Sequence, residues 1–118
     1  MKANARQVNG VTVVDLSGSI TAGEGSAVLR NTVKDLASHG SRNIVLNLGE
    51  VTQVDTSGIG ELVNAYTSVR NAGGELKLFN PTREVHDLLQ ITKLCSIFDI
   101  QPDEASAIAA FQQGAAAL

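Results

Sequence analysis

A second cysteine is missing from this chain. Cys95 stands alone, so no internal disulfide can form, and a structural zinc site has no set of thiolates to draw on. A reducing, cytoplasmic compartment suits such a chain. Basic residues are also scarce. Nine lysines and arginines stand against twelve aspartates and glutamates, for a net charge of -3 and a pI of about 5.2. A broad contact with phosphates needs many cations on one surface, so nucleic acid and an acidic membrane surface are disfavoured as partners. No apolar run approaches the roughly 20 residues that span a bilayer. The opening residues Met1–Gln7 lack the apolar core of a signal peptide. The expectation is a protein that stays soluble where it is made, without direct membrane insertion.

What is present is ordinary for a globular protein: 118 residues, 43% hydrophobic and 18% charged, enough for one domain with its own core. Asn9-Gly10 between Val8 and Val11–Leu16 reads as a β-hairpin whose second strand ends near Ser17-Gly18. Leu29, Val33, Leu36 and Ala37 mark one face of a helix from about Gly23 to Ser38, stopped by His39-Gly40. Asn43–Leu48 is a short aliphatic run bounded by turn residues, the pattern of a buried central strand. Ile59, Leu62, Val63, Tyr66 and Val69 then recur at helical spacing up to a stop at Ala72-Gly73-Gly74. That spacing predicts Leu62, Val63 and Tyr66 facing the core, with Glu61, Asn64 and Ser68 outward. Glu75–Phe79 is the next strand, and Asn80-Pro81 a turn that opens a helix marked by Val85, Leu88 and Leu89. Ile97–Ile100 reads as a last strand, and Pro102-Asp103-Glu104 opens a final helix through Phe111. The order ββαβαβαβα implies an α/β domain over residues 4–112, built on a mixed, mostly parallel sheet with helical crossovers and followed by a frayed tail at 113–118.

Enzyme signatures are few. His39 and His86 are isolated, and Cys95 reads as a buried, inert thiol. Gly18, Gly23 and Gly25 do not match the spacing of a dinucleotide loop, and no phosphate-binding Gly-Lys loop is present. No catalytic residue, metal or cofactor is expected. The segment Glu50–Gly60 is different, because it follows the strongest strand and opens the most regular helix, where open α/β sheets place their sites. Ser57 at or beside the helix N-cap can accept a bond from a free amide, and Asp55 and Thr56 add acceptors against the same positive end. Ordinary helix capping produces the same residues, so local chemistry locates a candidate site without assigning it a task.

Asp55-Thr56-Ser57-Gly58-Ile59-Gly60 resembles the Asp-Ser/Thr-Ser-Gly-aliphatic-Gly element of STAS-domain proteins, and among them the anti-sigma factor antagonists. The opening hairpin with Leu16–Ile20, the Gly73–Asn80 stretch and Ile91–Leu94 resemble that family at the corresponding places, so the likeness runs from about Val8 to Phe111. The resemblance implies a STAS-like fold and a regulatory, non-enzymatic protein. It implies that Ser57 is the residue phosphorylated by an anti-sigma factor serine/threonine kinase and restored by a serine phosphatase. The unphosphorylated form would bind the anti-sigma factor and free a sigma factor. Asp55, Thr56, Ser57, Gly58 and Ile59 correspond to the partner-binding element, joined by Thr21, where family members often carry an acid. A non-switching STAS scaffold of a stress-signalling or transport complex is the second reading, and a nucleotide-binding or weakly hydrolytic domain the third.

Overall fold

The computed structural model describes residues 1–116, with side chains through Phe111. The chain opens with strands β1 (Lys2–Val8) and β2 (Val11–Ile20), joined by Asn9 and Gly10 at φ values of 51° and 80°. Positive φ at both turn residues matches the right-handed twist of the flanking strands, which is why Asn-Gly closes this hairpin. Helix α1 (Glu24–Ser38), strand β3 (Asn43–Val54), helix α2 (Thr56–Asn71) and strand β4 (Glu75–Phe79) follow. Helix α3 (Arg83–Ile91), a single 3-10 turn at Leu94–Ser96, strand β5 (Ile100–Gln101) and helix α4 (Glu104–Ala116) complete the order. Of the expected tail at 113–118, α4 takes in the backbone through Ala116, and Ala117 and Leu118 lie outside the described residues.

The five strands lie side by side in chain order, β1-β2-β3-β4-β5. β1 is antiparallel to β2, and the other neighbours are parallel. The expected α/β architecture, a mostly parallel mixed sheet with one antiparallel hairpin strand, is therefore the one found. Alternating residues of the central strands feed two cores. Val14, Leu16, Ile20, Ile44, Leu46, Leu48, Leu76 and Leu78 pack against α1, α2 and α3. Val11, Val13, Val45 and Phe79 pack on the opposite face against Ala107, Ile108 and Phe111 of α4.

Two strands run further than their sequence suggests. β2 continues past Ser17-Gly18 to Ile20, and β3 past Leu48 to Val54. Register shifts between Asp15 and Ser17, and again between Gly18 and Ser19, let the two strands stay paired to the Ile20–Val54 position. Gly18, at φ 100°, absorbs the irregularity instead of ending the strand. The last strand is shorter and later than Ile97–Ile100, because the 3-10 turn at Leu94–Ser96 takes up the chain and leaves Ile97 exposed.

Candidate functional site

Because β3 continues to Val54 and α2 begins at Thr56, one residue makes the whole strand-to-helix connection. That residue is Asp55, in an extended conformation. Its Oδ1 accepts the Gly58 amide at 2.8 Å, and its own carbonyl accepts the Ile59 amide at 2.9 Å. Asp55 is therefore the N-cap, and the expectation that Ser57 caps the helix is corrected. Ser57 lies one turn-position inside α2, with Thr56 before it, and both side chains are exposed. Neither hydroxyl has a hydrogen-bond partner among the described residues.

The same carboxylate reaches sideways. Asp55 Oδ2 accepts the Ala22 amide at 3.2 Å, and the Asp55 amide donates to the Ile20 carbonyl at 3.4 Å. The connection from β2 to α1 is thereby tied to the start of α2. Thr21, half-buried, is held next to this tie; its carbonyl accepts both the amide and the hydroxyl of Ser26. The amides of Gly58 and then Ala22 hold the Asp55 carboxyl below the usual carboxylate range, since bonds donated to the charged form favour it.

Glycine is needed beneath the turn. A Cβ on Gly58 would overlap the Ile20 carbonyl oxygen, and one on Gly25 would overlap the Ser19 carbonyl oxygen. The first turns of α1 and α2 thus both rest against the end of β2. Of the six residues that the family resemblance assigns to a partner surface, the structure sets the exposed Thr56 and Ser57 beside the half-buried Thr21 and Asp55 in one patch. Gly58 and Ile59 are buried under it; they give the turn its shape and leave the surface to the other four.

One residue escaped the sequence reading. Glu61 does not face outward but is 7% exposed in the seam between α1 and α2. Arg30 of α1 grips it through Nε at 3.1 Å and Nη2 at 3.4 Å. The buried stripe of α2 runs through Gly58, Leu62, Ala65 and Val69, and Val63 and Tyr66 are only half-buried. Small residues at 58 and 65 set how close the backbone comes, and a count of large apolar side chains does not weigh them. Asn64 and Ser68 face solvent as their spacing implies.

Elsewhere the described residues offer little chemistry. They contain no group of three or more His, Cys, Asp or Glu placed to hold a metal. No described helix is long and apolar enough to cross a membrane. Cys95 is half-buried against the larger core.

Comparison with known proteins places the whole fold in one family. A family model described as the STAS domain matches residues 2–107. The anti-sigma-B factor antagonist of Bacillus subtilis (strain 168) is 33% identical over 87 residues, covering 74% of this chain and 78% of that protein. Among solved structures, tm1081 of Thermotoga maritima superposes with a TM-score of 0.84 at 24% identity, covering 92% of each chain. The Bacillus cell fate determinant SpoIIAA in its phosphorylated form gives a TM-score of 0.71 at 19% identity, covering 93% of this chain and 99% of that one. At these identities the two structures speak for the fold. With the family model spanning nearly the whole chain and a relative one-third identical, the chain belongs to the STAS-domain proteins, in the anti-sigma factor antagonist family.

Proposed function

We propose that this protein is an anti-sigma factor antagonist that works by partner switching, with Ser57 as the switch residue. Unmodified, it binds an anti-sigma factor that is also a serine/threonine kinase and so releases a sigma factor. The kinase transfers a phosphoryl group from ATP to Ser57 Oγ, and a serine phosphatase removes it. The protein itself is not a catalyst. It works in the cytoplasm, apart from nucleic acid and membrane. Thr21, Asp55, Thr56 and Ser57 form the contact surface, and Gly58 and Ile59 hold it from below.

The observation that carries this reading is the division of labour at the start of α2. Asp55 does the capping, so the Ser57 hydroxyl is exposed and uncommitted. A phosphoserine adds about -1.5 to -2 charges and three acceptor oxygens at neutral pH. At a helix N-terminus the free amides and the dipole tolerate that charge, so the fold survives. A partner surface matched to a neutral hydroxyl beside an ionised Asp55 does not tolerate it. Each roughly 1.4 kcal/mol is tenfold in affinity, so a penalty of a few kcal/mol gives a loss of about 100-fold or more. SpoIIAA, which shares the fold and has been solved in a phosphorylated form, supports the same reading.

Calorimetry of the unmodified and phosphorylated proteins against the kinase that co-purifies with the unmodified form tests it, with circular dichroism on both. The expected result is strong binding lost on phosphorylation, with an unchanged spectrum. Equal affinities would leave the protein a non-switching scaffold.

A further inference from the structure

Glu61 lies four residues after Ser57 on α2, and such residues are neighbours on a helix surface, with Cβ atoms about 5–6 Å apart. Helical side chains lean toward the N-terminus, which carries the Glu61 carboxylate toward the Ser57 turn. That carboxylate is buried, with a side chain only 8% exposed, and Arg30 is the cation paired with it. The Arg30 side chain is 58% exposed, so more than half of it stays in contact with water while it pairs with Glu61. The structure therefore places a guanidinium from α1 on the carboxylate that follows the exposed hydroxyl by one helical turn of α2.

We propose that Arg30 is a shared counter-ion: it neutralises Glu61 while Ser57 is unmodified, and it clamps the phosphoryl oxygens once Ser57 is phosphorylated. This rests on the reading of Ser57 as the phosphorylated residue. A guanidinium offers five donors in a fixed fork that suits phosphate as well as carboxylate. The phosphate carries more charge than Glu61 and stands nearer to water, where the exposed guanidinium moves at little cost. Two consequences follow for regulation. Part of the new negative charge is answered from within the protein, which steadies the phosphorylated form. Glu61 loses part of its partner at the same moment, so the seam between α1 and α2 registers the state of Ser57.

The test uses the full-length protein with phosphoserine installed at position 57 during synthesis, followed by 31P NMR between about pH 4 and 8. Phosphoserine ordinarily loses its second proton near pH 6. The parent phosphate should titrate at lower pH than that of Arg30→Gln, by about half a pH unit or more, because a nearby cation favours the dianion. Arg30→Gln leaves Glu61 buried without its cation and can disturb folding. The comparison is therefore repeated as Glu61→Gln against Glu61→Gln combined with Arg30→Gln, where no orphaned charge remains. The difference should be at least as large there, since Arg30 has no competing carboxylate. Identical titration within both pairs would overturn the proposal. Because no kinase is used, that result concerns Arg30 alone; a kinase that leaves Ser57 unmodified would concern the switch reading alone.

Discussion

The carboxylate of Asp55 bonds the backbone amide of Ala22, 33 residues earlier in the chain, and so joins the two connections that lead into α1 and α2. Its other oxygen caps α2 at Gly58. Cap and clasp are one side chain, and the patch around Thr21 and Ser57 depends on both of its bonds.

Asp55→Ala should lower the melting temperature and weaken partner binding together, because it frees the Thr21-Ala22 turn as well as the helix start. Asp55→Asn keeps one oxygen that can still cap Gly58 but sets its NH2 against the Ala22 amide, so it should lose the clasp and keep the cap, and fall between the parent and Asp55→Ala. The acid limb separates them further. The folded-state Asp55 carboxyl titrates below its unfolded value of about 3.9. Its contribution is therefore present above that pH and is lost as pH falls through the folded value. Thermal melts of parent and Asp55→Asn should converge below about pH 4; a constant gap from pH 7 down would show that the charge adds nothing.

Gly58 and Gly60 stand two residues apart and should respond oppositely to alanine. At Gly58 the new methyl meets the Ile20 carbonyl, and the cost should be about 3 kcal/mol or more, since backbone cannot step aside. Around Gly60 there is open space, and alanine in a helix should stabilise by about 0.5–1 kcal/mol. Urea denaturation of the two variants decides the matter. Equal stabilities would mean that α2 does not rest on β2 as described.

Leu62 and Val63 differ in depth. Leu62 is fully buried and Val63 half-buried at the edge of the core. Leu62→Ala should cost about 2–5 kcal/mol. An aspartate at 63 should destabilise less than one at 62, because it can turn its charge toward water. The reverse ranking in chemical denaturation would put the helix phase back where a count of large apolar residues sets it.

Thr56→Val should leave phosphorylation at Ser57 detectable, since the valine keeps the shape of an exposed first-turn residue that caps nothing. Ser57→Ala should keep partner binding and refuse phosphate. Ser57→Asp should mimic the phosphate only in part, having less charge and a planar head. Phosphopeptide mapping that places the only phosphate on Thr56 would reverse the two roles.

Local chemistry with strong geometric demands was legible in the sequence. The Asn9-Gly10 hairpin, the helix stops before Gly40 and Gly73, and β4 at Glu75–Phe79 stand where turn residues and apolar runs put them. So does the exposed pair Thr56-Ser57 at the start of α2. What stayed hidden depends on contacts between distant segments. Nothing local shows that β2 and β3 remain paired beyond Leu48, because the bulges near Ser17 and Gly18 exist only once the strands meet. The cap therefore falls on Asp55 rather than Ser57. The burial of Glu61 is equally non-local, since its counter-charge comes from α1.

The side-by-side order of the strands has a consequence for how the protein is made. Each new strand from β2 to β5 joins the edge left by the one before, so none has to be inserted between partners already zipped together. A growing chain can lay down the sheet in the direction of synthesis. The face carrying Val11, Val13, Val45 and Phe79 must wait for α4, which is translated after every strand of the sheet. During that interval the sheet is built on one side and bare on the other. Aggregation during synthesis should therefore begin on the α4 face, on the opposite side of the sheet from α1 and α2.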